Sequence, residues 1–168
     1  MNILETDRLV VREFEESDAP FIVDILNQPS FIRYIADRGV RTDEEAREYI
    51  RSKFQTVYDS DSYGIFLVAL KDVGTPIGMA GFVNRGSLPC PDIGFAFLPQ
   101  FEGRGYAYES AAALLQYART ALGFANIAAI TTVDNDRSGR LLERLGFHYN
   151  GLIELPDDDE PRKYYELI

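Results

Sequence analysis

The run Asp92-Ile93-Gly94-Phe95-Ala96-Phe97-Leu98-Pro99-Gln100-Phe101-Glu102-Gly103-Arg104-Gly105-Tyr106-Ala107 decides the fold. It opens as an apolar strand, Asp92 to Leu98, passes Pro99 and ends on two glycines two positions apart. A helix follows, with Ala107, Ala111, Leu114, Leu115, Ala118, Ala121 and Leu122 on one stripe. Glycine lets the backbone turn sharply and approach a ligand. The first turn of a helix offers N–H groups without acceptors and the positive end of the helix dipole. Together these make an anion site suited to a pyrophosphate. Its donors are main-chain groups, so Arg104 is not its only source of positive potential. Rival phosphate motifs fit worse. A dinucleotide fingerprint needs a third glycine where Tyr108 stands. A P-loop needs Gly-Lys-Ser/Thr, a triplet absent from the chain.

Upstream of this run, Ile65 to Leu70 and Pro76 to Val83 read as strands, closely spaced enough with Asp92 to Leu98 for an antiparallel meander. Further upstream, Asp7 to Phe14 reads as a strand, and Ser17 is placed to cap a helix carrying Phe21, Ile22, Ile25 and Leu26. Pro29 to Gly39 is a loop or broken helix presenting Phe31, Tyr34 and Ile35. Thr42 and Glu45 form a capping box that begins a helix to about Asp59. Downstream come a strand, Ile127 to Val133, and a short helix, Asn135 to Leu145, ended by Gly146. Two last strands, Phe147 to Glu154 and Lys163 to Ile168, flank the acidic turn Pro156 to Pro161. The order β, two or three helices, βββ, α, β, α, ββ predicts an α/β chain: an α+β mixed sheet of about seven strands with helices on both faces.

The 168 residues fit one domain, residues 1–168. No apolar run reaches the roughly 20 residues that span a bilayer, so no membrane role is expected. Met1 to Arg12 lacks the basic-then-apolar layout of a signal peptide. The single cysteine, Cys90, cannot form an internal disulfide and is compatible with the expected cytoplasmic location. A net charge of −10 disfavours nucleic-acid binding, which needs a basic face, and favours approach of cationic partners.

Gln100-Phe101-Glu102-Gly103-Arg104-Gly105 at a strand-to-helix junction resembles the coenzyme A pyrophosphate loop of GNAT acetyltransferases. The opening Glu5-Thr6-Asp7-Arg8-Leu9-Val10-Val11-Arg12 is similar to the first strand of the RimJ/RimL-like branch, which acetylates ribosomal-protein N-termini. So are Asp92-Ile93-Gly94-Phe95 leading into Pro99, and Asn135-Asp136-Arg137-Ser138 followed by Leu141-Leu142-Glu143-Arg144-Leu145-Gly146-Phe147. The resemblance covers nearly the whole chain, in order.

It implies that strands Asp92 to Leu98 and Ile127 to Val133 run parallel and splay, with the pantetheine arm of acetyl-CoA between them. Main-chain groups of Phe97 and Leu98 would pair with pantetheine amides, and Gly103, Arg104, Gly105, Tyr106 and Ala107 would hold the pyrophosphate. Asn135, otherwise a helix cap, would touch the coenzyme near its thioester. Ser138, otherwise a small core filler, would protonate the departing thiolate. The chain departs from the family at Leu142, where many members carry a tyrosine acid, and this throws more weight on Ser138 or water. Phe31 and Tyr34 would wall the acceptor pocket.

The implied reaction is N-acetyl transfer from acetyl-CoA to a primary amine by direct attack, without metal, in a monomer or homodimer. A protein N-terminal α-amine, with a pKa of about 7.7–8.0, demands less of a base than a lysine near about 10.4. A polyamine, amino acid or aminoglycoside fits the same chemistry, and a non-catalytic acyl-CoA sensor is the rival from another class. For the base, Asp92, Glu13 and Glu154 are candidates that could also be surface charges. His148 reads as a strand residue half in solvent, and Cys90 as an apolar filler without a base partner.

Overall fold

The computed structural model describes residues 1–168. Its strands are β1 (Asn2–Glu5), β2 (Leu9–Arg12), β3 (Ile65–Leu70), β4 (Pro76–Val83), β5 (Asp92–Phe97), β6 (Ile127–Thr132), β7 (His148–Ile153) and β8 (Arg162–Leu167). They form one sheet in the order β1-β2-β3-β4-β5-β6-β8-β7, antiparallel except for the β5–β6 pair. The helices are α1 (Ala19–Leu26), α2 (Pro29–Tyr34), α3 (Asp43–Tyr49), α4 (Thr56–Asp61), α5 (Tyr106–Thr120) and α6 (Asp136–Arg144).

The alternation of strand side chains sends apolar residues to both faces of the sheet, and helices cover each. On one face α5 and α6 bury Ala111, Leu114, Ala118 and Leu142 against Val11, Phe66, Phe82 and Ile127. On the other, α1 and the helices after Thr42 bury Ile22, Leu26, Ile50 and Phe54 against Leu67, Met79 and Leu98. The expected mixed sheet with helices on both faces is what forms.

Three details differ from the expectation. The sheet has eight strands, not seven, because Asn2–Glu5 folds back on Leu9–Arg12. The chain turns within Thr6–Arg8, where the Thr6 hydroxyl accepts the Leu9 N–H at 3.0 Å. Ser17 does not cap α1; Asp18 takes that place, its carboxylate accepting from the Glu15 N–H at 2.8 Å and from both Arg12 Nη atoms at 2.8 and 2.7 Å. Thr42 does cap α3, its hydroxyl accepting the Glu45 N–H at 3.1 Å, but the helix widens into a π-helical stretch, Ile50–Gln55, before α4.

The feature that creates a site is a gap in the sheet. β5 pairs with β4 over six residues, and β6 with β8 over six. Between β5 and β6 there is one bridge, Asp92 to Ala128, with the Ala128 N–H donating to the Pro91 carbonyl at 2.9 Å. Beyond that point the two parallel strands diverge. Gly78 holds one side of the gap in place: a Cβ there would lie 2.4 Å from the Phe97 ring, so only glycine admits the ring.

Candidate active site

The gap opens into a cleft of about 840 Å³, walled by Phe95, Ala96 and Phe97 of β5 and by Ile130 and Thr131 of β6. Register decides which main-chain groups face it. In an antiparallel ladder, alternate residues direct both peptide groups to the same neighbour. The Leu98 N–H donates to the Ile77 carbonyl at 2.9 Å, so Leu98, Ala96 and Gly94 face β4. Ile93, Phe95 and Phe97 therefore face β6. The lone bridge engages the main chain at Pro91 and Ile93, which leaves the peptide groups of Phe95 and Phe97 pointing into the cleft. On the facing strand the same alternation turns Ile130 inward. Leu98, expected as a coenzyme contact, is corrected here: its amide is used by β4 and its side chain is buried in the core. Phe95, two residues before Phe97, presents its peptide group to the cleft instead, which only the β4–β5 register reveals.

At the end of the cleft stands the glycine loop. Gly103 and Gly105 have φ of 76° and 84°, the left-handed region that glycine enters without steric cost. Gly105 is the N-cap of α5 and has no side chain to cap the helix. As a result six consecutive amides, Gly103 to Tyr108, donate to no acceptor in the protein. None of these residues is buried, so the donors at the open end of α5 are accessible to an external anion, which the helix dipole also favours. Gly103, Gly105, Tyr106 and Ala107 line the cleft. Arg104 does not line it; its carbonyl accepts from Arg8 at 3.0 Å.

The opening Thr6-Asp7-Arg8 segment braces this loop from behind. The Arg8 Nε donates to Glu109 Oε1 at 2.7 Å, and the Thr6 hydroxyl to Oε2 at 2.5 Å. The Arg8 guanidinium also stacks on the Tyr106 ring, 4.4 Å from its centroid. Partial burial pushes the Glu109 carboxyl up, but the hydrogen bonds from Thr6 and Arg8 outweigh it and hold the group below its ordinary range.

On the other wall, Asn135 caps α6, its Oδ1 accepting the Ser138 N–H at 3.2 Å. Both residues line the cleft, and the cap leaves the Asn135 Nδ2 available. Leu142 is buried in the core, so no hydroxyl group stands at that position. Arg137, Arg140 and Arg144 extend along the cleft from α6. Arg137 pairs with Glu102, whereas Arg140 and Arg144 have no carboxylate partner, and Arg144 lies over the Tyr108 ring. In a chain of charge −10, this end of the cleft is locally basic. Isolated arginines along α6 carried no sequence signal beyond that of a solvated helix face.

Phe31 and Tyr34, read from the sequence as acceptor-pocket residues, line the opposite lip of the cleft. The base candidates do not reach the cleft. Asp92 is 1% exposed at the closed end of the gap, where its Oδ1 accepts from Arg85 Nε at 3.0 Å. Burial pushes its carboxyl up to about 6, against the opposing pull of Arg85. The expectation that Asp92 serves the chemistry directly is therefore corrected by its position. Glu13 and Glu154 lie outside the cleft, and His148 is exposed on β7.

Comparison with known proteins agrees with this geometry. The acetyltransferase (GNAT) domain matches residues 8–148. The uncharacterized N-acetyltransferase YnaD of Bacillus subtilis is 27% identical over 169 residues, spanning 98% of this chain and 96% of that protein. The ribosomal protein uS5-alanine N-acetyltransferase of Escherichia coli is 29% identical over 158 residues, spanning 88% and 79%. Among solved structures, the fold is similar to RimL, a ribosomal L7/L12 α-N-protein acetyltransferase, in complex with coenzyme A. The TM-score is 0.84 at 20% identity, covering 100% of this chain and 98% of that one. No helix is long and apolar enough to cross a membrane. From the open strand pair, the free amides and the domain match, the chain belongs to the GNAT acetyltransferase family and is an N-acetyltransferase enzyme.

Proposed function

We propose that this chain moves the acetyl group of acetyl-CoA to the α-amine of a protein or peptide N-terminus by direct attack. The observation that carries the reading is the cleft itself. Two unpaired peptide groups, at Phe95 and Phe97, lead to six unpaired amides, at Gly103 to Tyr108. That pattern of donors and acceptors fits a chain of amides ending in a diphosphate, which is the chemistry of coenzyme A. When bound, the thioester supplies an activated acetyl group.

The protein's contribution is positioning and electrostatics. The amides of Gly103 to Tyr108 hold the pyrophosphate, and the Phe95 and Phe97 peptide groups fix the pantetheine arm. A β5 amide at Phe97 is a donor for the carbonyl oxygen as it gains charge. Phe31 and Tyr34 wall the acceptor side. The amine nitrogen bonds to the acetyl carbon and the carbonyl electron pair moves onto oxygen; its return breaks the carbon–sulfur bond, the amine proton leaves to water, and the thiolate takes a proton from water directly or through Ser138, which water reprotonates. An α-amine with a pKa of about 7.7–8.0 is partly neutral at physiological pH, so it attacks without a strong base. The uS5-alanine acetyltransferase acts, by its name, on a ribosomal protein, which supports this acceptor class.

The test is incubation with acetyl-CoA, a library of peptide N-termini and a panel of small amines, read by mass spectrometry. Acetylated peptides support the reading. Acetylation confined to polyamines, amino acids or aminoglycosides replaces the acceptor, and coenzyme A binding without any acetylated product removes the catalytic claim.

A further inference from the structure

The two lips of the cleft differ in charge. Where the glycine loop meets α6 there are unpartnered arginines; at α2 there is an internal cation already seated. Arg33 of α2 reaches across to the β6–α6 turn, where its Nη2 donates to Asp134 Oδ2 at 3.1 Å. Its guanidinium also lies 4.9 Å from the Tyr34 ring centroid. A ring face plus a carboxylate is the arrangement that holds cationic ligands. Tyr34 and Asp134 both line the cleft, and Asp134 immediately precedes Asn135.

Both members of the Arg33–Asp134 pair are more than half exposed, so the pair is weak and exchanges readily with solutes. The acidic turn between β7 and β8 is fastened to the same lip. Arg162 donates to the Tyr34 carbonyl at 3.4 Å and to the two Asp158 oxygens at 3.0 and 2.9 Å. Asp157, Asp159 and Glu160 of that turn are exposed and have no cationic partner. They do not line the cleft, so they add only a longer-range negative potential beside the Tyr34 lip.

We infer that Tyr34 and Asp134 form a cation subsite for the acceptor, and that Arg33 is an exchangeable plug within it. The preferred acceptor then carries a second positive charge, within a lysine side chain's reach of the attacking amine. This rests on the cleft binding coenzyme A as proposed above.

The test uses two conjugates in which coenzyme A is joined through its sulfur and an acetyl spacer to the α-amine of Ala-Lys-Ala or Ala-norleucine-Ala. Calorimetry measures both, and plain coenzyme A, on wild type, Asp134→Asn and Arg33→Gln. Wild type, with Arg33 competing at an exposed carboxylate, should bind the lysine conjugate about threefold tighter. Asp134→Asn should bring the ratio to about one through the lysine conjugate alone, and Arg33→Gln should widen it severalfold. A ratio near one in wild type, or a ratio that survives Asp134→Asn, overturns the subsite while plain coenzyme A still binds. Failure of plain coenzyme A to bind a folded wild type sinks the donor reading instead, and the subsite with it.

Discussion

Replacing Gly105 with alanine should weaken coenzyme A binding and lower stability together. Gly105 sits at φ 84°, and an L-residue in the left-handed region costs roughly 1–2 kcal/mol. A Cβ there would come within 3.3 Å of Arg8 Nη2, the far end of a flexible side chain, so backbone strain dominates over packing. Two responses are open. The loop keeps its shape and the fold bears the strain, at about 2–4 °C of melting temperature per kcal/mol for a domain of this size. Alternatively the loop relaxes, the amides of residues 105 and 106 swing off the anion, and each 1.4 kcal/mol costs about tenfold in affinity. The two readouts, calorimetric Kd for coenzyme A and melting temperature, should together account for about 1–2 kcal/mol. Gly123→Ala is the control: it also has positive φ, 72°, with nothing within 4 Å of a Cβ, so it should lower stability and leave affinity alone. If Gly105→Ala changes neither quantity, or if Gly123→Ala weakens coenzyme A binding equally, the reasoning about the loop is wrong.

Arg8→Ala removes the brace on Glu109 and the stack on Tyr106; discounted for exposure it should cost about 1 kcal/mol, roughly a fivefold rise in KM for acetyl-CoA with kcat little changed. An unchanged KM would show that the opening segment does not support the loop. For Asp92, the folded value of about 6 stands above the ordinary 3.8, so its stabilising contribution is complete below about pH 4 and lost as pH rises through about 6. Asp92→Asn should therefore match wild type in unfolding free energy at acid pH and exceed it above pH 6, by on the order of 3 kcal/mol at most. A turnover loss of about a hundredfold, with the rate limb near pH 6 removed, would instead make Asp92 a base acting through bridging waters. His148→Ala should keep full turnover, since the side chain is exposed on β7 outside the cleft; a loss on the same hundredfold scale would overturn that.

The parts of the fold that the sequence revealed are those set by local chemistry. Gly103 and Gly105 before an amphipathic stripe announce the loop and helix, and Thr42 with Glu45 announces the capped helix after it. What stayed hidden depends on pairing across the sheet. Nothing local says that Leu98 gives its amide to Ile77 and frees Phe95, because that follows from the β4–β5 register. Thr6 and Asp7 look like strand until the Thr6 hydroxyl is seen to close a turn onto Leu9. Asp92 reads in the sequence as a candidate base or a surface charge, and the bridge to β6 instead buries it beside Arg85. Arg33 and Asp134, 101 positions apart, meet solely because α2 and the β6–α6 turn are opposite lips of one cleft.

A crystal structure with coenzyme A bound is the decisive measurement. The diphosphate should accept hydrogen bonds from the amides of residues 103–108 at about 3 Å, with the pantetheine arm paired to Phe95 and Phe97 between β5 and β6. A ligand seated elsewhere, or β6 closed onto β5 along its whole length, would contradict the account.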